Sequence, residues 1–243
     1  MASYRQSPNQ LLASLPAWEF ELIRPDIRTS LLTLGDVLVE PGAELELVYF
    51  PHGGVISSFV NLTDGEAIEV GMFGRDGVFG AAAVLNGGVS PTAAIVQYPG
   101  AATVIEARRF ESVAIRSPTL QSLIMQHQWI DFMQAEQMIA CNASHDVSSR
   151  VSGRLLRLRD LAQSDRLPVT QETLARMLGV RRNSVSLAAG ALQDAGAIRY
   201  SRGQVEIVNA HVLTDRCCEC YEVSKSHNLR RHRAPRLSLP AAY

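Results

Sequence analysis

The chain has 243 residues, a net charge of −1, 47% apolar and 19% charged residues, which suits a globular protein of one or two domains with a sizeable core. No uninterrupted apolar run approaches the ~20 residues that a membrane span needs, and the opening MASYRQSPNQ lacks the basic-then-apolar pattern of a signal peptide, so a cytoplasmic protein is expected. The near-neutral total conceals an asymmetry: residues 1–150 hold eight arginines and no lysine against sixteen acids, whereas residues 151–243 hold fifteen basic residues against eight acids, the balance of a sensor joined to a nucleic-acid binder.

In chain order, Leu11, Leu12, Leu15, Trp18, Phe20, Leu22 and Ile23 suit one or two short helices packed on the next domain. From Leu31 the pattern is β. Val37 and Val39 alternate before a Glu40-Pro41-Gly42 turn, Val48 to Phe50 form a short strand, and a longer one covers residues 55–62. Thr63-Asp64-Gly65-Glu66 reads as a hairpin turn. Ile68, Val70 and Met72 alternate on the return strand, and Gly74 to Gly77 turn again. Residues 78–85 read as a short helix ended by Asn86-Gly87-Gly88, and strands over 94–98 and 102–106 are split by Pro99-Gly100. Many short strands with closely spaced turn signals imply a barrel or jelly roll.

A helix over 107–116 leads to Pro118, and a long helix over 119–146 follows, with Leu120, Leu123, Ile124, Ile130, Met133, Met138 and Cys141 as a near-continuous apolar stripe. Between a β domain and the basic half of the chain, that stripe reads as a coiled-coil-like dimer seam, with His127, Gln134 and Gln137 near it to fix register. Ser148 to Arg150 form the expected hinge, followed by a helix over 151–162 carrying Leu155, Leu156, Leu158 and Leu161.

The stretch from Thr170 to Val208 carries the strongest signal. Leu174, Met177 and Leu178 give one apolar face, Thr170 is a candidate N-cap, Glu172 sits in the first turn and Gly179 ends the helix. A second helix starts near Arg182, buries Val185, Ala188, Ala189 and Leu192, and ends at Gly196. The period then changes to two, and Ser201-Arg202-Gly203 forms the tip of a hairpin. Helix, glycine turn, helix and hairpin are the parts of a winged helix-turn-helix, whose second helix enters a major groove. A plain helical hairpin with solvated arginines is the alternative; the hairpin and the paired arginines weigh against it. Arg182 and Asn183 are the expected base readers, with Ser186 close by, while Thr170, Gln171, Arg181, Ser184 and Arg202 are expected mostly at phosphates.

After Val208 a helix is expected over 210–224 and a mobile basic tail over 225–243. Within the helix, Cys217, Cys218 and Cys220 offer thiolate ligands or a thiol sensor, with His211 and His227 nearby. Three cysteines in four helical residues cannot all face one ion, so no metal site is expected and buried packing is the favoured role. His52, His127 and His145 are lone histidines that leave haem ligation open. No nucleophile elbow, Walker loop or HExxH stands in the chain, so no enzyme is expected.

Residues 170–207 resemble the winged helix of the Crp/Fnr transcription regulators, and VYFPHGGVISSF, DGEAIEVGMFGRDGVFG and VQYPG resemble the β-roll sensor of that family. The resemblance covers about residues 30–222. It implies an α+β fold: a cyclic-nucleotide-binding-like β-roll over 1–118, a dimerisation helix over 119–147 and a winged helix-turn-helix over 148–224. It also implies double-stranded DNA and a second copy of the chain as partners, with RNA polymerase as a candidate partner and no membrane. Two residues depart from the family pattern: Arg181 replaces a short capping residue, and Leu187 stands where a polar base reader often sits.

In nucleotide-binding members a glycine-glutamate pair holds the ribose and an arginine the cyclic phosphate. Here Gly80 is followed by Ala81-Ala82-Ala83, and Ser90-Pro91-Thr92 stands where the arginine falls. The cassette around Gly80, Ser90 and Thr92 is degenerate, its ligand is unknown, and weak or no cyclic-nucleotide binding is expected. No cysteine precedes Cys141, which excludes the N-terminal iron–sulfur cluster of another branch. No cofactor is expected. The rival reading is a metal-, haem- or thiol-sensing module whose winged helix binds a protein.

Overall fold

The computed structural model describes residues 7–63 and 65–230. Two short helices come first, α1 (Gln10–Ala13) and α2 (Ala17–Ile23). Asn9 is buried and fastens them to the strands behind. Its side-chain oxygen accepts from the Leu11 and Leu12 amides, and its amide nitrogen donates to the Pro51 and Gly77 carbonyls, each at 2.8 Å. An N-cap and two cross-links from one side chain explain why a polar residue is tolerated there.

Seven strands come next: β1 (Ile27–Leu32), β2 (Val37–Val39), β3 (Leu47–Pro51), β4 (Val55–Asn61), β5 (Ala67–Phe73), β6 (Ala93–Tyr98) and β7 (Gly100–Glu106), with helix α3 (Ala81–Leu85) after β5. They make two antiparallel sheets, β1-β7-β3 and β2-β6-β4-β5. Tyr49 bridges to Phe79 just before α3. β4 and β5 pair antiparallel as the hairpin requires; residue 64 of its expected turn lies outside the described residues. Phe50, Ile56, Val96, Val104 and Ile105 belong to one buried core of the roll. Helix α4 (Ala107–Ile115) brings Phe110 into that core, and Leu11, Leu12 and Ile23 cap it.

Helix α5 (Pro118–Ser144) is capped by Ser117, whose hydroxyl accepts from the Leu120 amide and donates to buried Glu19 of α2. The expected seam turns inward at Leu120, Ile124 and Ile130, and the exposed apolar face of the helix is made of other residues, outside the expected stripe. Leu120, Ile124, His127 and Ile130 are buried against the β-roll. Met125, Trp129, Phe132 and Ile139 form a separate exposed face, with Met125 73% exposed. Periodicity alone cannot separate two apolar faces of one helix. His127 is therefore not at an outer seam, where its spacing suggests it.

The long helix stops at Ser144. His145 and Asp146 are extended, and α6 (Val147–Ala162) starts beyond them with Asp146 as its N-cap. Ser148 to Arg150, expected as the hinge, lie inside α6; the bend sits two residues earlier, where the Asp146 carboxylate accepts from the Ser149 amide and hydroxyl.

The rest of the chain comprises a two-residue strand β8 (Arg166–Leu167), α7 (Gln171–Leu178), α8 (Arg182–Asp194), β9 (Ile198–Ser201), β10 (Gln204–Ile207), α9 (Ala210–Asp215) and α10 (Cys220–Arg230). Their apolar faces share a core with Val55, Phe59, Met72 and Ala93 of the four-stranded sheet. That sheet is thus buried on both faces, one by its own roll and one by the C-terminal half. The single helix expected over 210–224 is two helices broken at residues 216–219, and the second continues to Arg230. The remainder of the expected tail, 231–243, lies outside the described residues. None of the described helices is long and apolar enough to cross a membrane.

Candidate nucleic-acid interface

Thr170 caps α7 by accepting from the Thr173 amide at 3.0 Å, and Glu172 lies in the first turn, where exposed amides favour an anion. Gly179 ends the helix at φ +60°, the left-handed conformation that lets the chain reverse into α8. The reversal also packs against the roll, because a Cβ on Gly179 would stand 3.2 Å from the Ile68 side chain of β5. Arg181 precedes α8 without a side-chain cap hydrogen bond, and its carbonyl accepts from the Ser184 amide at 3.0 Å.

Val185, Ala188, Ala189 and Leu192 hold α8 down. On its other side Arg181, Arg182 and Asn183 are exposed, and Leu187 is 78% exposed. The edge expected to meet DNA therefore points away from the protein. Ser184 is half-buried, and the Ser186 hydroxyl donates to the Gln171 side chain, so Ser186 and Gln171, both expected DNA contacts, also bind α8 to α7. Gln193 accepts from the Tyr200 amide at 2.9 Å and ties α8 to β9. Burial raises the Tyr200 phenol above its ordinary pKa, against the pull of nearby Arg182.

β9 and β10 are joined by Arg202-Gly203 alone, at φ +47° and +79°, which is a type I′ hairpin turn. Arg202 is exposed at its tip, and Gly203 lies beside Thr170, so the wing stands next to the start of α7. A third strand, β8, pairs with β10. Nothing in the sequence marks it, because two residues carry no periodicity. It adds exposed Arg166 to a groove of about 480 Å³ that also holds Arg199, Arg202 and Glu206. Glu206 pairs with Arg199 at 2.7 Å and with Arg166 at 3.7 Å, so Arg202 is the arginine of this groove that Glu206 does not engage.

The β-roll encloses a second cavity, of about 400 Å³, lined by Gly80, Ser90 and Thr92 together with Phe73, Asn86 and His127. The cassette residues are thus brought together, but none of the residues lining it is an arginine or lysine. Ser90 is buried and donates to the Thr92 carbonyl at 2.8 Å, which is turn chemistry. His127 reaches this wall from α5: its Nε2 accepts from the Val78 amide at 3.0 Å and its Nδ1 lies 2.6 Å from Asp131. Its Nε2 is thus taken by the backbone, and the ring is buried between α5 and the roll. His52 is half-buried, and burial lowers its pKa.

Of the three clustered cysteines, Cys217 turns to Gly153 of α6, while Cys218 and Cys220 turn to Cys141 and His145 at the end of α5. Burial raises the Cys141 and Cys218 thiols from their ordinary value and pushes Cys217 up to about 12.

The family model of a cyclic nucleotide-binding domain matches residues 31–117, and that of a Crp-like helix-turn-helix domain matches residues 149–216. No curated protein matches the chain. Solved structures with the same fold include FixK2 from Bradyrhizobium japonicum, 17% identical over 79% of this chain and 98% of its own, with a TM-score of 0.66. A CRP/FNR-family transcriptional regulator from Thermus thermophilus is 21% identical over 78% and 97%, with a TM-score of 0.65. The c-di-GMP-responsive global regulator CLP of Xanthomonas campestris is 18% identical over 80% and 100%, with a TM-score of 0.61. A nucleotide-binding-type roll, a long helix and a Crp-like reading head in this order make the chain a member of the Crp/Fnr family of transcriptional regulators.

Proposed function

We propose that this protein regulates transcription in the cytoplasm as a homodimer that reads a specific DNA sequence, and that its sensor does not take a cyclic nucleotide. The observation that carries the reading is the exposed start of α8, with Arg181, Arg182 and Asn183 in succession, in a head whose wing tip exposes Arg202. Bidentate arginine and asparagine contacts supply base discrimination, and the flanking cations hold phosphates. The division of labour is a sensor over 1–118, a dimerisation helix over 119–147 and a DNA reader over 148–224, with RNA polymerase as a candidate partner.

Dimerisation is supported by Met125, Trp129, Phe132 and Ile139, exposed on α5 at steps of four, three and seven residues, the spacing of a coiled-coil seam. Trp129 and Phe132 stack at 5.7 Å and both remain largely exposed to solvent. The lining of the roll cavity supports the second half of the proposal, because a cyclic phosphate held without a guanidinium loses its strongest contact.

Selection of duplexes from a random pool, followed by anisotropy titration of the full chain, tests this reading. The selected site should bind about 10³-fold or more tighter than random DNA, and affinity should fall steeply with salt. Equal affinity for both, or no salt dependence, would overturn it. Calorimetry with cyclic AMP and cyclic GMP should give no heat of binding; saturable binding would refute the claim about the sensor.

A further inference from the structure

Four ligand atoms of soft-metal character converge where the two halves of the chain meet. Cys141 and His145 come from the last turn of α5 and its cap; Cys218 and Cys220 come from the break between α9 and α10 and the first residue after it. All four ligand atoms lie within 4.8 Å of one another. Cys141 Sγ stands 3.6 Å from Cys218 Sγ, and Cys220 Sγ stands 3.5 Å from His145 Nδ1. In a tetrahedral zinc site with ordinary bond lengths, neighbouring sulfurs lie about 3.8 Å apart and a sulfur and an imidazole nitrogen about 3.6 Å. These two edges already have the dimensions of such a site. We propose that Cys141, His145, Cys218 and Cys220 bind one zinc ion, clasping the reading head to the end of the long helix.

The surroundings fit the assignment. His145 presents Nδ1 to the sulfurs while its Nε2 lies 3.4 Å from Glu219, the carboxylate–histidine arrangement that fixes the tautomer of a metal-bound imidazole. Gln137 donates to Cys220 Sγ at 3.0 Å. Three thiolates, a neutral imidazole and Zn²⁺ carry one net negative charge, and Arg150 shares the adjoining cavity of about 160 Å³ with Cys141, Cys218 and Cys220. Binding replaces the thiol protons, which leave to solvent, and needs no oxidant. The mutual closeness of all four atoms suits a single ion better than a multi-iron cluster, whose ligand sulfurs stand farther apart. Cys217, turned to Gly153, is not a ligand.

The clasp does not depend on DNA binding, and its test is spectroscopic. Full-length protein purified under reductant and titrated with Co²⁺ should develop the intense visible bands of a tetrahedral ion and sulfur-to-cobalt charge transfer of three thiolates. Zn²⁺ should bleach both at one equivalent per chain. Cys141→Ser, Cys218→Ser or Cys220→Ser should each lose one thiolate's share of the charge-transfer intensity, and Cys217→Ser should lose none. Glu219→Gln should weaken zinc by about 10- to 100-fold. Should a serine variant fail to fold by circular dichroism, the charge-transfer intensity of the native chain still counts the thiolates. The proposal is overturned if the reduced native chain takes up no zinc, gives an octahedral cobalt spectrum, forms only a Cys141–Cys218 disulfide, or loses its bands equally through Cys217→Ser.

Discussion

The carboxylate of Glu69 on β5 is fully buried and meets the guanidinium of Arg154 on α6, joining the β-roll to the reading head. A second pair, Asp76 with Arg157 at 3.0 Å, lies along the same seam. Arg154→Ala strands the carboxylate and should destabilise the chain by about 3–5 kcal/mol in urea unfolding, whereas the double change Glu69→Gln with Arg154→Met should recover most of that loss. Burial raises the Glu69 pKa, with Arg154 opposing it. Between the unfolded value of about 4.3 and the raised folded one, the native state therefore binds more of this proton than the unfolded chain does. The contribution of this group to stability therefore grows as pH falls through the raised folded value and is smallest above it. Glu69→Gln removes that pH dependence. Parallel stability–pH curves for the variant and the native chain would contradict the assignment.

On α8 and the wing, two arginines are expected to fail differently. Arg182→Ala should relax discrimination at one base pair by about 1–3 kcal/mol, while Arg202→Ala should weaken every sequence alike and lower the salt slope by about one. Arg202 also sits at φ +47°, so Arg202→Asn should keep or improve the type I′ turn while showing the same DNA defect. Competition binding with specific and random duplexes separates the cases; an equal loss on both for Arg182→Ala removes it from the base readers.

The exposed face of α5 predicts the oligomeric state. Phe132→Glu or Trp129→Glu should convert a dimer to a monomer by light scattering, with helix content retained because these side chains face away from the core. A monomeric native chain, or a dimer unmoved by both changes, excludes this seam.

Gly77 is required by close approach rather than by its backbone angle. A Cβ there would drive into His127 Nε2, the atom that accepts from Val78. Gly77→Ala should cost about 1–3 kcal/mol of overpacking, and His127→Ala in the same chain should return part of it. Additive losses measured in the double-mutant cycle would show that the two positions do not meet.

Asp146 sits between α5 and α6 as an N-cap, and its hydrogen bonds from Ser149 lower its pKa. Its contribution is present above the unfolded value near 3.9 and is lost as pH falls through the depressed folded one. Asp146→Asn should retain the cap and abolish this dependence, whereas Asp146→Ala loses the cap at every pH, by thermal unfolding.

Local signals are legible wherever one residue or one short period suffices. Thr170, Gly179 and Arg202-Gly203 announce the cap, the turn and the wing, because caps and positive-φ turns admit few residue types. The β-roll shows in its alternation. The break at residues 216–219 does not, since no proline or helix-ending glycine marks it, and the two-residue β8 is too short to have a period.

By itself the amino-acid order determined the sequence of modules, the basic reading head and the exposed arginine edge, since helix period, turn chemistry and net charge are properties of neighbours along the chain. Tertiary packing alone decided which face of α5 meets the roll and that Glu69 finds Arg154. It also brought Cys141 and His145 to Cys218 and Cys220. Those partners are separated by more than seventy residues, and contact across such a separation leaves no spacing to read.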